Sequence, residues 1–219
     1  PSNPSICQRQ SIVAGVRVRA EPKIRTTNNR SARGCQPCCH PRYFLYMNTK
    51  LITELQKMIG GDQKAVHTRQ LEGVVNKRVL KTNTKKIKKI VEHYGWPTIS
   101  LVGTKGSKNA WLIVQHAYDD THFQKKCLEL MLSAYKRNPK DIIHMQIAFL
   151  TDRIRVNEKK PQKFGTQFYT NKKGKFTYWP IRDIKNVDER RAKYGIEPLA
   201  EYIQSAKSFA LAPIKKILN

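Results

Sequence analysis

The 219-residue chain is short of acid. Sixteen Asp and Glu stand against 42 Lys and Arg, a formal net charge of +26. Such a field favours polyanions: nucleic acid, anionic surfaces or acidic partners. Long apolar runs are also missing. Stretches such as Trp111 to Val114 are far shorter than the ~20 residues a helical bilayer span needs. No apolar segment follows a basic start, as a secretory signal requires. No membrane association is therefore expected, and the expected location is cytoplasmic. Cysteine is scarce, with Cys7, Cys35, Cys38, Cys39 and Cys127 as its only members. An odd number with four crowded near the start is no disulfide framework. Cys127 falls in an apolar helical pattern and reads as core.

Familiar signatures are missing too. There is no glycine-rich phosphate loop, nucleophile elbow or zinc-protease motif. Neither an RNP-like aromatic pair nor a GXXG loop accompanies the basic charge. Nucleic-acid binding therefore stands as a non-specific alternative driven by net charge. Much of the lysine excess, as in "KTNTKKIKKI" and "TNKKGKF", equally suits a solvated surface. The stretch "CQPCCH" offers Cys35, Cys38, Cys39 and His40. A structural zinc site usually takes two separated ligand pairs, and no second pair follows. His116, Asp119, Asp120 and His122 straddle a helix junction and form a weak cluster. Neither metal nor cofactor is expected.

What is present divides the chain in two. Residues 1–46 carry seven Arg and one Lys against a single acid, Glu21. They are rich in Ser, Asn and Pro and show no sustained period. They read as a disordered basic extension. Met47 then looks like a natural start, which would make 1–46 upstream read-through or an added extension; a transit peptide is the alternative. Residues 47–219 read as a single helical domain, mainly α, with a small β-hairpin insertion near 163–179.

Leu51, Leu55 and Met58 mark a first helix, which Gly60-Gly61 is expected to stop. A second starts near Asp62, and a third covers about Thr84 to His93 with lysines outward. Gly95 and Pro97 end it. Ile99 to Val102 suits a short extended piece. Ser107 then caps a helix to about Ala117, and Asp120 caps the next, to Tyr135. Pro139 suits the first turn of a helix reaching Val156. "QKFGTQFYTNKKGKFTYWPI" alternates around an "NKKG" turn, as a hairpin does. Asp188 to Tyr194 is a short helix with Asp188 as cap, and Pro198 begins the last.

Candidate site residues lie where the apolar patterns end. Trp111 to Val114 cover a full turn, so Gln115 and His116 follow within a buried helix. Burying their polar atoms unpartnered would cost roughly 1–3 kcal/mol each. They are therefore hydrogen-bonded, either within a core network or to a ligand. Gln124 shares a stripe with Leu128, Met131 and Tyr135. Arg153 ends the stripe Ile142, Gln146, Phe149 and could fork onto an anion, or pair with a carboxylate such as Asp183. Gln162 and Gln167 flank Gly165, where backbone can approach a ligand closely.

The motifs "YGWPTISLVG", "AWLIVQHA", "FQKKCLELM", "AFLTDRI", "PQKFGTQF", "PIRD" and "VDERRAKYGIEPLAEY" resemble a family of small bacterial proteins. That family is catalogued as a domain of unknown function. The resemblance spans about Met47 to Tyr202. It implies that Gly95, Trp96, Gln115, His116, Gln124, Asp152, Arg153, Gln162, Gly165, Gln167, Asp183 and Arg191 occupy motif positions in a shared polar site. Tyr118 stands where an acid often follows the Q-H-A motif. The resemblance brings no activity.

The expected arrangement is a pocket for a small polar or anionic ligand. His116 would serve as acid/base, Arg153 as anion clamp, and Asp183 as the group orienting either one. Gln115, Gln124, Gln162, Gly165, Gln167, Arg191 and Trp96 would line or orient. The rival readings are a charge-driven nucleic-acid binder and a structural or partner-binding helical protein.

Overall fold

A computed structural model describes residues 47–72, 76–171 and 173–211. The basic extension 1–46 and its "CQPCCH" stretch lie outside the described residues. Seven α-helices and one antiparallel hairpin account for most of what is described. The helices are α1 (Thr49–Glu72), α2 (Lys77–Tyr94), α3 (Ile99–Gln115), α4 (Thr121–Arg137), α5 (His144–Asn157), α6 (Val187–Ala192) and α7 (Leu199–Leu211). The strands are β1 (Phe168–Thr170) and β2 (Phe176–Tyr178), with Tyr169 opposite Thr177. The protein is thus mainly α with a small hairpin.

α1 runs straight through Gly60-Gly61, where a stop was expected. Each interior glycine weakens a helix by about 1 kcal/mol. Against that, Leu51, Leu55, Met58, Ile59 and Ala65 bury one continuous stripe. Burying a large apolar side chain stabilises by roughly 1.5–3 kcal/mol, so the stripe outweighs the glycines. Gly61 also faces α2 closely; a Cβ there would lie 3.6 Å from Val79 Cγ1. α2 begins seven residues earlier than the sequence pattern suggests. Asn76 caps it by accepting from the Val79 amide, and Asn83 donates to the Met58 carbonyl of α1 at 3.1 Å.

Ile99–Val102 is the first turn of α3, not an extended piece. Thr98 is the N-cap residue, and its carbonyl accepts from the Leu101 and Val102 amides. The Asp141 carboxylate accepts from the Ser100 amide (2.6 Å) and hydroxyl (2.8 Å). A partner 41 residues away is thus what allows helix here. Gly103, at φ 71°, kinks α3 between its two pieces. Ser107 is buried inside the helix and caps nothing. α1 and α3 lie side by side and run parallel: Asn48 N donates to the Leu101 carbonyl, Asn109 Nδ2 to Gln56 Oε1, and His116 meets Asp62.

Asp120 caps α4 as expected, accepting from the Phe123 amide at 2.9 Å. Pro139 opens only a 3-10 turn (Pro139–Asp141), and α5 begins at His144. The core joins all these helices. Trp111 donates through Nε1 to the Gln146 carbonyl and meets the Phe149 ring edge-on, which meets Tyr202 in turn. Asp188 does not cap α6. It accepts from the Leu199 amide and so anchors the start of α7.

Candidate active site

The last turn of α3 carries Gln115 and His116 to the end of the α1–α3 interface. His116 is 5% exposed and Asp62 of α1 is 1% exposed. The two meet through His116 Nδ1 and Asp62 Oδ2 in a short contact. An ionised carboxylate can only accept, so Nδ1 carries the proton. In a neutral ring so held, Nε2 carries the lone pair, the tautomer a proton acceptor needs.

His116 borders a cavity of about 250 Å³ between α2 and the α3–α4 turn. One wall is the face of α2 that presents Lys77, Lys81, Thr84, Lys85 and Lys88. The other is the turn itself, Ala117 to Asp120. Lys88 is neutralised by Asp120 at 2.5 Å and lies over the Phe123 ring. Burial pushes the Asp120 carboxyl up, but the Lys88 hydrogen bond, the Phe123 amide and the charges of Lys88 and His122 outweigh it and hold it below its ordinary value. No ion pair to Lys77, Lys81 or Lys85 occurs among the described residues.

Behind this turn stands a buried polar layer. Arg153 Nε donates to Gln115 Oε1 at 3.0 Å, and its guanidinium lies 5.4 Å from the Tyr118 ring centre. The Tyr118 and His116 rings are 5.8 Å apart. Gln124 donates to the Val114 carbonyl at 3.0 Å and accepts from Asn157 Nδ2 at 3.2 Å. Gln124 thus adds a side-chain donor to the Val114 carbonyl, which also accepts from the Ala117 amide, and reaches the Gln115 carbonyl at 3.4 Å. Gln115, Arg153 and Gln124 thus brace the turn that carries His116. Arg153 is 3% exposed and does not line the cavity. The expected anion clamp therefore sits behind the cavity wall, and the cations that face the cavity are the α2 lysines.

The remaining expected residues form a separate network around the hairpin. Asp152, fully buried, accepts from the amides of Lys163, Phe164 and Thr166 and from the Thr166 hydroxyl. Burial pushes its carboxyl up, and those hydrogen bonds act in the opposite sense. Gln162 donates to the carbonyls of Gln167 (3.1 Å) and Trp179 (2.9 Å) and accepts from the Gln167 amide (2.6 Å). Gln167 donates in turn to Thr166 Oγ1. Arg191 donates to the carbonyls of Glu197 and Phe164, both at 2.6 Å, under the Tyr202 ring. Burial holds its guanidinium below the ordinary value. Gly165, at φ 71°, lies where a Cβ would strike Ile181 and Leu199. Trp96 is buried in the hydrophobic core. None of these residues lines the cavity. Backbone groups take up Asp152, Gln162 and Arg191, and the Thr166 hydroxyl takes up Gln167.

Asp183 departs furthest from expectation. It is half-exposed and pairs with Arg190 at 3.0 Å. The carboxylate that holds His116 is Asp62, a residue the sequence reading used only as a helix start. Lys77, Lys81 and Lys85 were missed as well. Their spacing of four was visible, but the surface they share with His116 was not. Among the described residues no three His, Cys, Asp or Glu side chains converge as a metal cluster would.

The fold and site define a mainly helical protein with a buried His–Asp pair beside a lysine-walled cavity. The chain belongs to a family of unknown function (DUF6624), whose model matches residues 61–211. That span contains both members of the pair and the α2 lysines. No curated protein and no solved structure matches the chain. No helix among the described residues is long and apolar enough to cross a membrane.

Proposed function

We propose that the cavity binds a small polar or anionic ligand and that His116, oriented by Asp62, exchanges a proton with it. One observation carries this reading: a buried histidine whose Nδ1 is held by a buried carboxylate borders a cavity walled by lysines. A carboxylate behind the imidazole fixes its tautomer and stabilises the imidazolium that forms when Nε2 takes a proton. Gln115, Gln124 and Arg153 serve by holding the α3–α4 turn in place.

The test is a thermal-shift and NMR screen of small carboxylates, phosphates and neutral polar compounds against the full chain. The reading expects at least one compound to move the His116 imidazole resonances of the wild type. The same compound should bind His116→Gln, which keeps a donor for Asp62, more weakly, and any turnover should vanish. If no compound moves those resonances in the folded protein, the reading fails.

A further inference from the structure

The site just described has a particular chemical bias. We infer that its ligand is a phosphorylated small molecule whose phosphate lies along Lys77, Lys81 and Lys85, with its other end at the His116–Asp119 wall. The inference rests on the ligand-binding reading above and narrows it to one substrate class.

Three features support it. Lys77, Lys81 and Lys85 recur every four residues, so they stack on one face of α2. From Lys77 to Lys85 the helix rises roughly 12 Å at 1.5 Å per residue. All three line the cavity, and none is paired with a carboxylate among the described residues, whereas Lys88 at the far end is neutralised by Asp120. The unpaired cations thus occupy the N-terminal half of α2. Only Lys77 lies in the first turn, where the positive end of the helix dipole adds to its attraction for an anion.

The donor type matters next. Arginine forks onto carboxylate and phosphate alike, whereas lysines act as compact point charges, so several unpaired lysines attract an anion the more strongly the higher its charge. The lysine wall contains no arginine, and the nearby Arg153 is committed to Gln115 and the Tyr118 face. A multiply charged phosphate therefore suits this wall better than a carboxylate. The opposite wall differs in sign. Asp119 is exposed there beside His116 and Tyr118. Those groups repel a second phosphate but accept hydrogen bonds from hydroxyl groups. A cavity of about 250 Å³ suits one small molecule rather than a length of nucleic-acid chain.

The experiment measures binding of inorganic pyrophosphate, succinate and a short single-stranded oligouridylate to the full chain by calorimetry and NMR. Four proteins are compared: wild type, Lys81→Gln/Lys85→Gln, Lys81→Arg/Lys85→Arg, and Lys57→Gln/Lys108→Gln. The last pair is exposed and outside the cavity, so it removes the same charge elsewhere. Pyrophosphate is expected to bind the wild type at low salt and to move the His116 resonances. Its affinity should fall about tenfold in Lys81→Gln/Lys85→Gln, change little in the remote pair and be largely kept by the arginine pair. Succinate should bind much more weakly. The inference is overturned if both glutamine pairs weaken pyrophosphate equally, if succinate binds as well as pyrophosphate, or if only the oligouridylate binds. Movement of His116 by succinate without pyrophosphate binding would sink the phosphate class and leave the ligand reading intact. A His116 signal indifferent to all three probes and to the wider screen would remove both.

Discussion

The His116–Asp62 pair makes an asymmetric demand on stability, and the asymmetry can be measured. His116→Ala strands the Asp62 carboxylate, 1% exposed, with its other oxygen Oδ1 already lacking a hydrogen-bond partner. An unpaired buried charge costs about 3–5 kcal/mol. Asp62→Ala strands only an imidazole, which can stay neutral and loses one acceptor, at roughly 1–3 kcal/mol. The double variant removes the stranded charge altogether. It should therefore be more stable than His116→Ala alone, with a coupling of about 2 kcal/mol or more. Since domains of this size are stable by about 5–15 kcal/mol, all three variants should give measurable transitions.

Urea denaturation at neutral pH, followed by tryptophan fluorescence and circular dichroism, gives the three free energies. His116→Gln completes the set. Its amide can still donate to Asp62, so it should lie within about 1.5 kcal/mol of wild type. The reasoning fails if Asp62→Ala is the more damaging single change, or if the double variant loses the sum of the two single losses. Additive losses would mean that the carboxylate and imidazole do not depend on one another in solution, and a costlier Asp62→Ala would mean that the stranded charge is the imidazolium. Then the tautomer argument for Nε2 as proton acceptor loses its basis too.

Other parts of the structure make further demands. Gly165→Ala should lose about 1–3 kcal/mol in thermal or urea unfolding, because φ is 71° and a Cβ would come within 2.7 Å of Ile181 Cδ1; an unchanged midpoint would refute this. Arg191→Lys should cost about 1.5–3 kcal/mol, since one ammonium cannot reach both the Glu197 and Phe164 carbonyls that the guanidinium spans; calorimetric melting checks it. Burial pushes the Cys127 thiol up to about 12. Its thiolate is then scarce at about pH 8. Peptide mapping after alkylation should find Cys127 unmodified in the native chain and modified in denaturant, and rapid native labelling would contradict the burial.

Much of this was legible in the sequence wherever a local signal was also the winning one. The hairpin around "NKKG" formed because alternation and turn residues agree. The Asp120 cap and the end of α2 at Gly95 depend on neighbours within four residues. Gln115 and His116 were marked for attention by the apolar turn before them, and both are buried and partnered. The failures share a different cause. Ile99–Val102 became helix because Asp141 reaches Ser100 from 41 residues away. Gln162, Gln167, Arg191 and Asp152 did sit where polar groups meet apolar pattern, but hairpin and loop backbone claims them. Residue type alone does not distinguish a side chain that serves a ligand from one that serves a carbonyl.

Asp62 shows how one misjudged helix boundary can hide a site. Read with a stop at Gly60-Gly61, the acid stands at the start of a new helix, where Asp is ordinary. Read as one helix, Leu51, Leu55, Met58, Asp62 and Ala65 fall at steps of four, three, four and three along a single buried stripe. An acid in the middle of that stripe is costly unless something pairs with it. The parallel register of α1 and α3 supplies the partner, since Gln56 meets Asn109 fifty-three residues on and Asp62 meets His116 fifty-four on. The glycines are what make the misreading natural. Gly61 faces α2 at Val79, where a Cβ would meet Cγ1 in ordinary contact at 3.6 Å, two residues from Lys77 and Lys81 on either side. A side chain longer than a methyl at this position meets Val79, and Gly61→Leu should push α2 away. That variant is expected to keep helix content by circular dichroism while weakening pyrophosphate binding at least severalfold, by displacing Lys77 and Lys81 from His116. Unchanged binding in Gly61→Leu would show that the α1–α2 contact does not set the width of the cavity.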